Sequence, residues 1–193
     1  MLKLIILFAA AACPAAFAAR DKAPSSKKET PKMEIADSYR GLREQVFSLA
    51  SGKVKGLSAT KEGIYAVLME TSYPDATFTL VAVSDGAASL YFSNGGGIIG
   101  AGEHDLVRKE VFSLLSGVPE YLRQSENTSK TQLPKQDHTS FYFVTNKGVY
   151  TMDALEDDLG NNKHKFSPLF HQAHALITAI RQVDEMRSKM PQK

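Results

Sequence analysis

Between Ser93 and Gly102 the chain reads Ser-Asn-Gly-Gly-Gly-Ile-Ile-Gly-Ala-Gly, with five glycines in the eight residues from Gly95 to Gly102. Glycine takes positive φ without steric cost and lets another group approach the backbone closely. Exposed N–H groups in such a stretch can cradle an anion, above all where a helix begins directly after it. Gly95, Gly96, Gly97, Gly100 and Gly102, with the neighbouring His104, are therefore the expected ligand-binding residues. Gly95, Gly97 and Gly100 also satisfy the dinucleotide spacing G-x-G-x-x-G. Three features argue against that use. The preceding strand alternates and belongs to a hairpin, no strand follows within the required unit, and Glu103 and Asp105 occupy the helix start, where they would repel phosphate.

Five histidines invite the question of metal. His171 and His174 stand three apart on one predicted helix, with His164 upstream, a spacing compatible with ligation. His174, however, lies beside Phe170, Ala173 and Ile177 on an apolar stripe, where a hydrogen-bonded core histidine is expected, and no metal site is assigned. The acidic run Glu156-Asp157-Asp158, followed by Gly160-Asn161-Asn162, lacks the order of a calcium loop and reads as a solvated turn. No G-x-S-x-G nucleophile elbow occurs. The sequence thus points to no catalytic residue and no cofactor.

The elements that must hold these residues follow from periodicity. Ile35, Tyr39, Leu42, Val46 and Leu49 recur in steps of four and three, which predicts an amphipathic helix over 34–50 ended by Gly52. Ile64–Glu70 and Thr77–Val83 are rich in β-branched and aromatic residues and predict strands, joined through Ser72-Tyr73-Pro74-Asp75. Asp85-Gly86 then marks a hairpin into Ala87–Ser93. In that strand Ala88, Leu90 and Phe92 should face the core, with Ser89, Tyr91 and Ser93 on the opposite, open side. Val107, Val111, Leu114, Leu115, Val118 and Leu122 mark a second helix over about 103–124, with a kink or break expected at Gly117–Pro119. Residues 125–138 are polar and predict a loop, and their sequon Asn127-Thr128-Ser129 is discounted. Phe141–Thr145 and Val149–Asp153 flank Asn146-Lys147-Gly148 as a further hairpin. Ser167 as N-cap and Pro168 as first residue open the last helix. The order α-β-β-β-α-β-β-α predicts an α+β domain, an antiparallel sheet of about five strands flanked by helices.

Lys3, the apolar run Leu4–Ala12 and Ala16-Phe17-Ala18 together describe a signal peptide over 1–18, cleaved after Ala18. The competing reading is a lipoprotein anchored through Cys13, the sole cysteine. Cleavage after Ala18 would leave no thiol, hence no disulfide and no thiolate metal site. Residues 19–32 read as a disordered basic linker, net +3 from Arg20 to Lys32, and 33–193 as a single domain that carries about −2. That balance excludes a basic nucleic-acid binder, and nothing after the leader is long and apolar enough for a transmembrane helix.

The residues Tyr73-Pro74-Asp75-Ala76, Thr79-Leu80-Val81, Ser89 to Ser93, Gly95-Gly96-Gly97, Ile99-Gly100 and His104 resemble a pattern shared by a group of small bacterial proteins of uncharacterised function. The resemblance extends loosely to Phe141–Thr145 and Ser167–Phe170. It implies a bacterial source and supplies no activity. Profilin-like and roadblock-like modules are analogous in element order, and fold analogy does not fix function. Two expectations follow. The first is a non-enzymatic binding or assembly module of the cell envelope, periplasmic or secreted, meeting an envelope protein partner. The second is a small-molecule binding protein or hydrolase that uses the glycine loop for an anion.

Overall fold

A computed structural model describes residues 34–52 and 56–189. The signal peptide, the linker and Cys13 lie outside the described residues.

The hairpin signals are realised as antiparallel strands. Strand β1 (Ile64–Ser72) turns through residues 73–76 into β2 (Thr77–Val83), and Asp85-Gly86 carries β2 into β3 (Ala88–Phe92). Gly86 has φ +92, and the Asp85 carboxylate accepts a bond from the Ala87 N–H, so both residues of the dipeptide are used. The glycine stretch does not stay a loop. Gly97–Ile98 forms a two-residue strand, β4, paired to β3. A 310 turn at Ala101–Glu103 then leads into helix α2 (Asp105–Leu122). The polar segment expected as loop contributes another short strand, β5 (Glu126–Thr128), before β6 (His138–Thr145) and β7 (Gly148–Leu155). The chain ends in a short helix α3 (Glu156–Gly160) and the long α4 (Ser167–Lys189). The first helix, α1, covers Asp37–Ser48.

The sheet is therefore seven-stranded and antiparallel, in the order β4-β3-β2-β1-β6-β7-β5, where about five strands were expected. The two additional strands escape periodicity because they are two and three residues long and contain glycine or polar groups at the sheet edges. The acidic run 156–158 is the first turn of α3 rather than a free turn, and carboxylates are favourable at that end of a helix dipole. The break expected at Gly117–Pro119 is not formed: α2 runs through Pro119. Burial of Val107, Val111, Leu114, Leu115 and Val118 against the sheet holds the helix together despite the lost N–H. Ser167 lies within α4 instead of capping it, its hydroxyl accepting from the His164 N–H at 3.3 Å.

Both faces of the sheet are covered. Helices α2 and α4 pack on one face, over Val67, Met69, Leu80, Leu90, Phe141 and Phe143. Helix α1 packs on the other, where Tyr39, Leu42, Val46 and Phe47 meet Leu68, Val81, Tyr91 and Tyr142. This corrects the expectation of an open side: Tyr91 and Ser93 are buried beneath α1.

One row on the α1 face is polar. The registers set Tyr91, Thr79, Glu70, Ser140 and Asp153 opposite one another across β3, β2, β1, β6 and β7. Glu70, at the centre, is 0% exposed. Arg43 of α1 answers it with two bonds, Nε to Oε1 at 2.7 Å and Nη2 to Oε2 at 2.8 Å, and Thr79 donates to Oε1 at 3.1 Å. The Tyr39 and Thr79 hydroxyls are 2.8 Å apart. The Arg43 guanidinium also lies over the Phe47 ring, 4.7 Å from its centroid. Burial opposes its charge, but the paired Glu70 more than offsets this and leaves the Arg43 pKa above its usual value. Burial, and then the nearby Glu70 charge, push the Tyr39 and Tyr91 phenols well up, so both stay neutral.

A buried charge stripped of its partner is far worse than an apolar replacement of the pair. Arg43→Met should lower the unfolding free energy by about 3–5 kcal/mol, as for other broken buried pairs. Adding Glu70→Leu should recover most of that loss. Urea denaturation of the two variants checks both statements, and a double variant no more stable than Arg43→Met would contradict the assignment.

Candidate ligand groove

The glycine residues have separate structural duties. Gly97 has φ +147, and a Cβ there would stand 2.5 Å from the Leu90 carbonyl oxygen, so the close pairing of β4 with β3 needs glycine. Gly102 is buried, and its Cβ would meet the Gly86 carbonyl oxygen at 2.2 Å. The glycine stretch is thereby pressed onto the β2–β3 turn. Gly95, Gly96 and Gly100 have φ of +100, +81 and +71; a Cβ at Gly95 would touch the Ala36 Cβ at 3.8 Å, while Gly96 and Gly100 have open space around them. At the start of α2, Arg108 donates through Nε and Nη2 to the Gly102 carbonyl, at 3.2 and 3.0 Å. His104 Nε2 accepts from Arg187 Nε at 2.9 Å, and Arg187 also reaches Glu103 at 3.3 Å. These contacts tie the end of the glycine stretch to the C-terminal part of α4 and engage His104 in a structural bond. Gly100, Gly102, Glu103 and Arg108 border only a small hollow of about 190 Å³.

Of the expected ligand-binding residues, only Gly97 reaches the larger depression beside it. This groove, about 570 Å³, runs between α4 and the β2–β3–β4 end of the sheet. Phe78, Leu90, Phe92 and Ile98 form its sheet wall, which the registers Phe78 with Phe92 and Leu90 with Ile98 place on one face. The helix wall is His174, Ile177, Arg181 and Asp184, residues in steps of three, four and three that share one helical face. Neither the Arg181 nor the Asp184 side chain has an ion-pair or hydrogen-bond partner among the described residues. A volume of this size, a mostly apolar lining and a few charged groups at one end are features common among small-molecule sites.

Periodicity alone held part of this signal. His174, Ile177, Arg181 and Asp184 form a stripe beside the buried one, and two unpaired charges extending an apolar stripe are its only unusual mark. Phe78 and Phe92 were unreadable as groove residues, because a strand pattern does not reveal where a covering helix stops short.

His174 packs with its ring 4.3 Å from that of Phe170, and its Nε2 is buried with no hydrogen-bond partner among the described residues. The hydrogen-bonded core histidine expected from the sequence is instead half-buried at the groove, with its buried Nε2 unbonded. Burial lowers its pKa; the Glu156 charge works against that and His171 works with it. His171 turns away to Asn162, 3.0 Å from its side-chain oxygen, and His164 stacks on Phe166. Among the described residues no three His, Cys, Asp or Glu side chains converge as a metal set.

One further cluster resembles catalytic machinery in composition only. Ser140 donates to Asp153 at 2.7 Å, and Asp153 contacts His138 Nδ1 at 2.5 Å. The carboxylate stands between hydroxyl and imidazole, so the histidine is not positioned to take the serine proton, as acyl transfer would require.

No protein family model, curated protein or solved structure matches the chain.

Two expected outcomes test this geometry. Gly102→Ala must displace backbone, whereas Gly96→Ala meets open space and carries only the strain of positive φ, about 1–3 kcal/mol. Thermal melts should therefore rank Gly102→Ala clearly below Gly96→Ala, and equal losses would contradict the tight packing. For His174, the folded pKa is depressed, so between that value and the unfolded value of about 6.5 the unfolded chain binds more protons. Its contribution to stability is present above about pH 6.5 and is lost as pH falls through that window. His174→Gln should flatten the difference in urea midpoint between pH 7 and pH 5 relative to the parent protein.

Proposed function

We propose that the mature protein is a non-enzymatic binding module of the bacterial cell envelope, and that the groove between α4 and the β2–β3–β4 sheet end receives a small amphipathic molecule. The observation that carries this reading is the groove itself: an apolar wall of Phe78, Leu90, Phe92, Ile98 and Ile177 ends at two unpaired charged side chains. Among the described residues its lining contains no hydroxyl or thiol to act as a nucleophile, and its one imidazole is buried at Nε2. Envelope location rests on the leader Lys3 to Ala18 and on the resemblance to small bacterial proteins. Among the described residues no helix is long and apolar enough to cross a membrane.

On this reading the glycine stretch serves the site indirectly. Its tight pairing to β3 brings Ile98 to the groove wall, and Arg187 with His104 holds the stretch against α4.

Phe92 is the residue with which to test the reading, since it lines the groove yet is 40% exposed. Its truncation should cost little stability. Thermal-shift measurements on the mature protein with short fatty acids, aromatic acids and apolar amino acids should give a rise in Tm with at least one of them. A ligand at a hundred times its Kd contributes about 2.7 kcal/mol, a shift of about 5–10 °C for a domain of this size. Phe92→Ala should keep the fold and lose the shift. No shift with any of these classes, combined with a stoichiometric protein partner recovered from envelope extracts, would replace the groove reading with protein docking.

A further inference from the structure

The chemistry at the end of the groove narrows its ligand beyond amphipathic. Arg181 and Asp184 are separated by three residues on α4, so their side chains emerge as neighbours on one face, at the distance of helical i,i+3 pairs. They carry opposite charge, yet no ion pair joins them within 4.0 Å. Of the two cations in the last turn, Arg187 and Lys189, Arg187 is engaged with Glu103 and His104. A ligand seated against Phe78, Phe92 and Ile98 removes water from both groups at once. A simple carboxylate satisfies Arg181 and confronts Asp184 with a like charge; a simple amine does the reverse. A neutral apolar molecule leaves both desolvated and unanswered, the costliest case.

Resting on the groove reading above, we propose that the ligand is a zwitterion: an α-amino acid with an apolar side chain, its carboxylate on Arg181 and its ammonium on Asp184. The side chain then lies among Phe78, Phe92 and Ile98. The groove volume of about 570 Å³ is ample for a single amino acid of the largest apolar type.

Calorimetric titration of the mature protein with L-phenylalanine, phenylpropionate and phenylethylamine separates the possibilities, because the last two each keep the ring and lack one charge. Phenylalanine should bind at least about tenfold more tightly than either, the effect of one charge-assisted contact. Arg181→Gln should bring phenylalanine down to the level of phenylethylamine without weakening phenylethylamine itself. Asp184→Asn should bring it down to the level of phenylpropionate and improve phenylpropionate binding. Both residues are at the groove rim and outside the core, so the variants should fold, which circular dichroism checks. Phenylpropionate binding as tightly as phenylalanine, with no gain in Asp184→Asn, would overturn the zwitterion and leave an anion-binding groove. If phenylalanine, leucine and both half-charged analogues all fail to bind, the zwitterion falls; a Tm rise with short fatty acids would then keep the groove reading, and none with any class would end it.

Discussion

A carboxylate at the centre of a sheet has no solvent to turn to, and Glu70 sits on the central strand with neighbours on both sides. Its charge is tolerable only because Arg43 meets it with a two-pronged bond and Thr79 adds a third donor. That requirement fixes where α1 lies. With Arg43 in place, Tyr39 reaches Thr79, Phe47 meets Tyr142 edge to face, and the Ala36 N–H bonds to the Ser93 carbonyl at the end of β3. The first helix thus locks the hairpin whose far side supplies Phe92 to the groove. A polar row that looks like an internal flaw sets the register of an otherwise greasy interface.

The groove exists on the opposite face because two helices do not cover seven strands. Helix α2 seals the middle of the sheet with valine and leucine, while α4 passes over β3 at an end where Phe92 and Ile98 stay partly open. The side chains that line α4 change character along its length, from Phe170 and His174 through Ile177 to Arg181 and Asp184. The helix therefore grades from core into rim, and the site is the place where that grading leaves charge beside uncovered apolar surface.

How much of this was readable in the residues depends on the range of each interaction. The long strands and helices were legible, because β-branched runs, the Asp85-Gly86 and Asn146-Lys147-Gly148 turns and the apolar steps of α1, α2 and α4 are local signals. The edge strands β4 and β5 were not, since two or three residues have no period. Glu70 drew no notice, for an acidic residue in a strand is expected to face water, and only the docking of a helix 27 residues earlier reverses that. The glycine stretch was singled out as unusual. Its constraints come from Leu90, Tyr91 and Gly86, backbone neighbours that no local pattern reveals. Pro119 does not break α2, for a related reason: the packing of the helix outweighs the missing N–H.

The sheet finishes at both margins in very short strands, two residues in β4 and three in β5. An open margin of a sheet is a template on which a stray extended chain can add itself, and the length of the ladder sets how firmly it holds. Here a would-be invader finds only a few backbone groups in either outermost strand, and at β4 these adjoin a backbone bent by the positive-φ glycines Gly95, Gly96 and Gly97. Such trimming discourages fibre growth between copies while leaving the groove, which opens across the face and not along the margin, accessible to something small.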